Sequence, residues 1–139
     1  DRRQRQMCIR DSFNMEEFIY STIAIEQGID NTPPIEAQAA IRNLVNRLLE
    51  PLRVYMNNPL IISSGYRSEE LNRLVRGVPC SQHRKGEAVD IYTFNNPRLL
   101  EYLLDSGLDF DQVIWYQKRM FIHLSLKYNG INRHQVLMR

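Results

Sequence analysis

Two short segments of this chain alternate apolar and polar side chains, and each carries a metal-binding residue type at the middle of its polar face. In the run 88–92, Ala88, Asp90 and Tyr92 share one face of a strand and Val89 and Ile91 the other. In the run 120–126, Phe121, His123 and Ser125 oppose Ile122, Leu124 and Leu126. A strand of period two must bury one face, so both segments belong in a sheet with Asp90 and His123 on the side away from the core. An isolated carboxylate flanked by two apolar residues is costly to bury alone. If the two strands are neighbours, Asp90 and His123 meet at cross-strand distance.

A third polar residue precedes the first segment. His83 lies seven residues before Asp90, in a loop ended by Gly86. Two imidazoles and a carboxylate suit a borderline cation such as zinc, with a fourth position left open. Zinc there would lower the pKa of a bound water from ~16 toward ~7 and polarise a carbonyl. The spacing alone leaves open a plainer alternative, two hydrogen-bonded histidines with no metal between them. Cys80, three residues before His83, is read as a bystander, because a fourth protein ligand would close the site to water.

The order of these residues carries a resemblance. Ser81-x-His83-x-x-Gly86-x-Ala88-x-Asp90 resembles the SxHxxGxAxD signature of the M15 zinc peptidases. Ser64-Gly65-Tyr66-Arg67-Ser68 with Leu71-Asn72 resembles the SGYRS..LN segment of their M15A branch. The segments 110–115 and 121–125 are similar to that branch's C-terminal half. The resemblance spans residues 13 to 126. It implies a zinc metallopeptidase acting on peptidoglycan stem peptides, as D,D- or L,D-type carboxypeptidase or endopeptidase, related in fold to the hedgehog zinc domain. It further implies one zinc ion held by His83, Asp90 and His123. Arg67 would bind a substrate carboxylate, for which a planar guanidinium is well shaped, and Ser81 would touch substrate or orient a ligand. A phage or bacterial origin follows, with action at the cell wall or periplasm.

The chain departs from that family at the general base. M15 peptidases place a glutamate a few residues before the second histidine, but no Asp or Glu lies between Asp111 and His123. Gln117 stands at one expected position. A glutamine cannot take a proton at neutral pH, although it can position a water, and Tyr116 can help polarise one. The alternative reading is therefore a catalytically silent zinc domain of the same fold that binds peptidoglycan or a protein partner.

The expected fold is α+β: one domain with a small antiparallel sheet flanked by helices and a zinc site in a cleft at one sheet edge. Residues 1–12 are expected to be a disordered arm outside that domain. The arm has no secretory apolar stretch and resembles translated sequencing-adapter read-through; residues 13–139 form the domain. A helix is expected over 14–27, capped by Asn14, with Phe18, Ile19, Ile23 and Ile25 inward. A long helix is expected over 35–57, kinked or split at Pro51. Shorter helices follow Ser68 and Asn95, the latter with Leu99, Leu100, Leu103 and Leu104 inward. The tail after Tyr128 shows weak periodicity, and His134 is read as a surface residue.

Charge narrows the partners. Of 18 Lys and Arg and 16 Asp and Glu, four and two respectively fall in the first twelve residues, leaving 14 of each in the domain. A balanced domain gives no support for nucleic-acid binding. No apolar run approaches the ~20 residues of a membrane span. A monomer is expected.

Overall fold

The computed structural model describes residues 13–139; the expectation of a basic arm, Cys8 included, lies outside the described residues. The architecture is α+β, as the patterning predicts. Two short helices come first, α1 (Glu16–Ile19) and α2 (Thr22–Gln27). A long helical rod follows: α3 (Ile35–Leu44), a π-helical stretch (Val45–Leu49) and α4 (Glu50–Met56). Next come β1 (Ile61–Ser64), α5 (Glu69–Leu74), a 3-10 turn (Gln82–Lys85), β2 (Ala88–Tyr92), α6 (Asn96–Ser106), β3 (Gln112–Tyr116), β4 (Phe121–Ser125) and β5 (Gln135–Met138). No helix of the described residues is long and apolar enough to cross a membrane.

The strands form one sheet in the order β1-β2-β4-β3-β5. Its first four strands pair antiparallel, but β5 lies parallel to β3, so the sheet is mixed where an antiparallel one was expected. Sequence periodicity missed β5 because three of its four side chains are exposed. Backbone bonds hold it, Gln135 N–H to Asp111 O and Arg139 N–H to Trp115 O among them.

One sheet face is sealed by the helices. Val89 and Ile91 of β2, Val113 of β3, and Ile122 and Leu124 of β4 are buried against Leu44, Leu48 and Leu52 of the rod and Leu99 and Leu103 of α6. Fully burying one such side chain is worth about 1.5–3 kcal/mol, so this layer fixes which face of each strand looks outward. The rod does not split at Pro51. Proline lacks the N–H that would bond four residues back, and the preceding turn widens instead, with Glu50 N–H reaching Val45 O, five residues back.

The expected 14–27 helix is broken in two. Asn14 does cap the start, exchanging backbone–side-chain bonds with Glu17. The break comes because Phe18 O accepts from Tyr66 N–H at 2.6 Å instead of from the next helical turn, and Ser21 caps a new helix. The expected stripe is lost with it: Phe18 is buried, while Ile23 and Ile25 are exposed. In α6, Leu99 and Leu103 face inward and Leu104 is turned outward.

Candidate metal centre

The open face of the sheet carries the polar residues. Asp90 on β2 pairs directly with His123 on β4, which in turn pairs with Ile114 on β3. These are inner strands of the sheet, so the site sits over its middle and not at an edge as expected. The reason is topological: β1 covers the outer side of β2, while β3 and β5 cover the outer side of β4.

His83 is brought to this face by a tightly specified turn. Ser81 Oγ accepts from His83 N–H and caps the 3-10 turn. Gly86 ends it at a left-handed φ of 75°, where a side chain would also run into the backbone carbonyl of Ala37. The imidazole is buried. Its Nδ1 lies 2.7 Å from the carbonyl oxygen of Gly65, which can only accept, so Nδ1 carries the proton and the lone pair of Nε2 faces the cleft. Nε2 is 3.4 Å from Asp90 Oδ1, and His123 Nδ1 is 3.0 Å from the same oxygen.

The electrostatics favour a ligand set. Burial holds the His83 pKa below its ordinary value, against the pull of Asp90, so the ring is neutral and free to ligate at neutral pH. Burial works to raise the Asp90 pKa. Its contacts with His123 and then with His83 outweigh it and hold the carboxyl well below the usual range. Three donor atoms, one from each residue, lie within 4.8 Å of one another. That is a little wider than the ~4 Å that zinc bonds of ~2.0–2.2 Å impose, and the two pairs through Asp90 are already closer. Two imidazoles and a carboxylate fit a zinc ion that keeps an open position.

Arg67 lines the same cleft. Its backbone N–H donates to His83 O, tying the two residues together. Its guanidinium donates to Asn72 Oδ1 at 3.1 Å, while Asn72 Nδ2 is held by Val78 O. Gly77 makes room for this pair, since a side chain there would collide with both. Nε of Arg67 is buried and has no hydrogen-bond partner among the described residues. Burial lowers the Arg67 pKa against the pull of Asp90. Periodicity gave no hint of Asn72; its place in the 64–72 segment was the available signal.

The other expected site residues divide. Tyr116 lines the cleft and stacks on Phe121, ring centroids 4.4 Å apart. Gln117 lies in the β3–β4 turn with its backbone N–H on Arg139 O, and it is exposed and outside the residues lining the cleft. Cys80 is an exposed free thiol and is not part of the donor cluster. His134 is half-exposed and pairs with Asp109.

The two further carboxylates lining the cleft are engaged elsewhere. Asp111 is fully buried and bound by Arg133 and Lys127. Glu87 accepts from Gln82 and from the backbone of Tyr128. A search among curated proteins finds no match. The family described as Peptidase M15 matches residues 11–125, a span that takes in Arg67, His83, Asp90 and His123. With the greater part of its length so matched, the chain belongs to the M15 peptidase family.

Proposed function

We propose that the protein is a zinc metallopeptidase that cleaves a bond next to a D-amino acid in peptidoglycan stem peptides. The observation that carries this reading is the orphaned, buried guanidinium nitrogen of Arg67 beside a three-donor cluster. A buried donor without a partner costs about 1–3 kcal/mol, and a substrate carboxylate would satisfy it. His83, Asp90 and His123 would hold the ion. Zinc, when bound, supplies a Lewis acid for the scissile carbonyl and an activated water.

The chain's own residues do the rest. Arg67, braced by Asn72, takes the terminal carboxylate and fixes the register of the peptide. Asp90 offsets the positive charge beside the two histidines. Tyr116, its ring held flat by Phe121, presents a phenol to the open face for the oxygen that gains charge during attack. Among the described residues no free carboxylate lines the cleft to take the proton from water, and that deficit is worth ~10²–10⁴ in rate.

The test is metal content and product release together. Purified protein should bind one zinc per chain, lose it on Asp90→Ala substitution, and release D-Ala from an acetylated peptide ending in D-Ala-D-Ala. Stoichiometric zinc with no cleavage of any stem peptide would sink the enzyme reading.

The engaged state of Glu87 and Asp111 favours one second reading, a silent zinc domain that holds a cell-wall peptide or a protein partner without cutting it. Tyr116→Glu separates the two, because a carboxylate there faces the cleft and one at Gln117 does not line it. Hydrolysis that appears only in this variant would mark the natural chain as a binder.

A further inference from the structure

The domain's charges balance, but their placement does not. Seven of its cationic side chains line the cleft against three carboxylates, Glu87, Asp90 and Asp111, each already bound within the protein. Two of the cations, Arg67 and Arg119, lie on opposite sides of the donors. The sheet register fixes those sides. In β1, Ile61 sits level with Tyr92 and Ser64 level with Asp90, so the chain has passed the metal donors by the time it reaches Arg67. In β4, Ile122 sits level with Ile91, so Phe121 lies on the other side of the donors, toward Tyr92.

Arg119 stands at that far end. Its guanidinium carbon sits over the Phe121 ring, 5.4 Å from the centroid, and it has no carboxylate partner among the described residues. A guanidinium lying over an aromatic face keeps its edge N–H groups free for a carboxylate. Phe121 is two residues from His123, ~7 Å along the strand, which puts the Arg119 head roughly 7–10 Å from the donors. An extended peptide spans that in two or three residues at ~3.3 Å each.

We propose that the cleft selects an acidic peptide. Its terminal carboxylate lies at Arg67, and a second carboxylate, two or three residues to the amino side of the bond at the metal, lies at Arg119. The proposal rests on the reading that Arg67 takes the substrate's terminus. It makes Arg119 a specificity residue of the site, and Phe121 the ring that positions it.

Calorimetric binding to the zinc-loaded protein at low salt tests it. The probes are acetyl-Glu-Ala-D-Ala-D-Ala and acetyl-Ala-Glu-D-Ala-D-Ala, their Gln counterparts, and the same peptides with an amidated C-terminus. Where hydrolysis occurs, kcat/KM replaces Kd. One glutamate peptide should bind about 3- to 5-fold tighter than its glutamine twin, the scale of an exposed arginine–carboxylate pair. Arg119→Gln, confirmed folded by its melting curve, should erase that difference and leave the glutamine peptides unchanged. Equal binding of the Glu and Gln peptides, with amidation still harmful, overturns the Arg119 subsite alone. Amidation without effect overturns the Arg67 reading, and no binding of any peptide overturns both.

Discussion

At the scale of single residues, the site depends on side chains that hold other side chains still. Asn72 is buried and fixes the Arg67 guanidinium from one side while Val78 fixes Asn72. Asn72→Ala leaves Arg67 its charge but frees its orientation. The expected outcome is a roughly 5- to 30-fold rise in KM, the worth of one charge-assisted hydrogen bond at ~1–2 kcal/mol, with zinc content unchanged. Steady-state kinetics beside metal analysis checks it. Equal losses in zinc and activity would instead mean that Asn72 holds the fold. The residues with chemical side chains, Arg67, His83, Asp90 and His123, were legible in the sequence because each sits in a spaced motif. The Gly65 carbonyl that sets the His83 tautomer was not, since any residue type carries a carbonyl.

At the scale of elements, the short 3-10 turn is the tightest part of the site. It is bounded by the Ser81 cap and by Gly86, which packs against the α3 backbone at Ala37. Gly86→Ala places a Cβ where both φ and space forbid it. A stability loss of about 1–3 kcal/mol is expected. Zinc affinity should fall too, because His83 moves with the turn. Chemical denaturation and zinc titration measure the two; an unchanged zinc Kd would show that the turn does not position His83. The strands β2 and β4 could be read from their alternation, which burial of one face enforces. The break between α1 and α2 could not, because a carbonyl captured by Tyr66 from 48 residues away leaves no local trace. The widened turn before Pro51 was half legible: the proline announced a disturbance, and packing of Leu48, Leu49 and Leu52 decided that the rod stays whole.

At the scale of the whole molecule, the approach to the last strand is clamped by buried Asp111, paired with half-exposed Arg133. Burial tends to raise the Asp111 pKa, but its hydrogen bonds from Arg133 hold it below the ordinary carboxylate value, and Asp111 in turn raises the pKa of Arg133. A carboxyl whose pKa is lower folded than unfolded stabilises above ~4 and loses that contribution as pH falls through its folded value. Asp111→Asn should therefore cost about 1–3 kcal/mol at pH 7. The gap to the wild type should shrink as pH drops below ~4. Metal-free melts across pH measure it, and a gap that stays constant down to pH 2 would contradict the sign. The clamp explains how a strand with an exposed, aperiodic sequence joins the sheet, and why β5 was invisible to pattern reading.

The pairing of β2 with β4 also sets an order in time. The β3–β4 hairpin is local and closes within microseconds, whereas Asp90 and His123 meet only when that hairpin docks across the 32 residues between them. The three candidate donors thus come together at a late, long-range step, after the entropy of closing that loop has been spent. An ion bound by all three would grip the docked state and not the barrier leading to it. Its effect would be to slow the escape of the finished fold while leaving the rate of arrival nearly as it was.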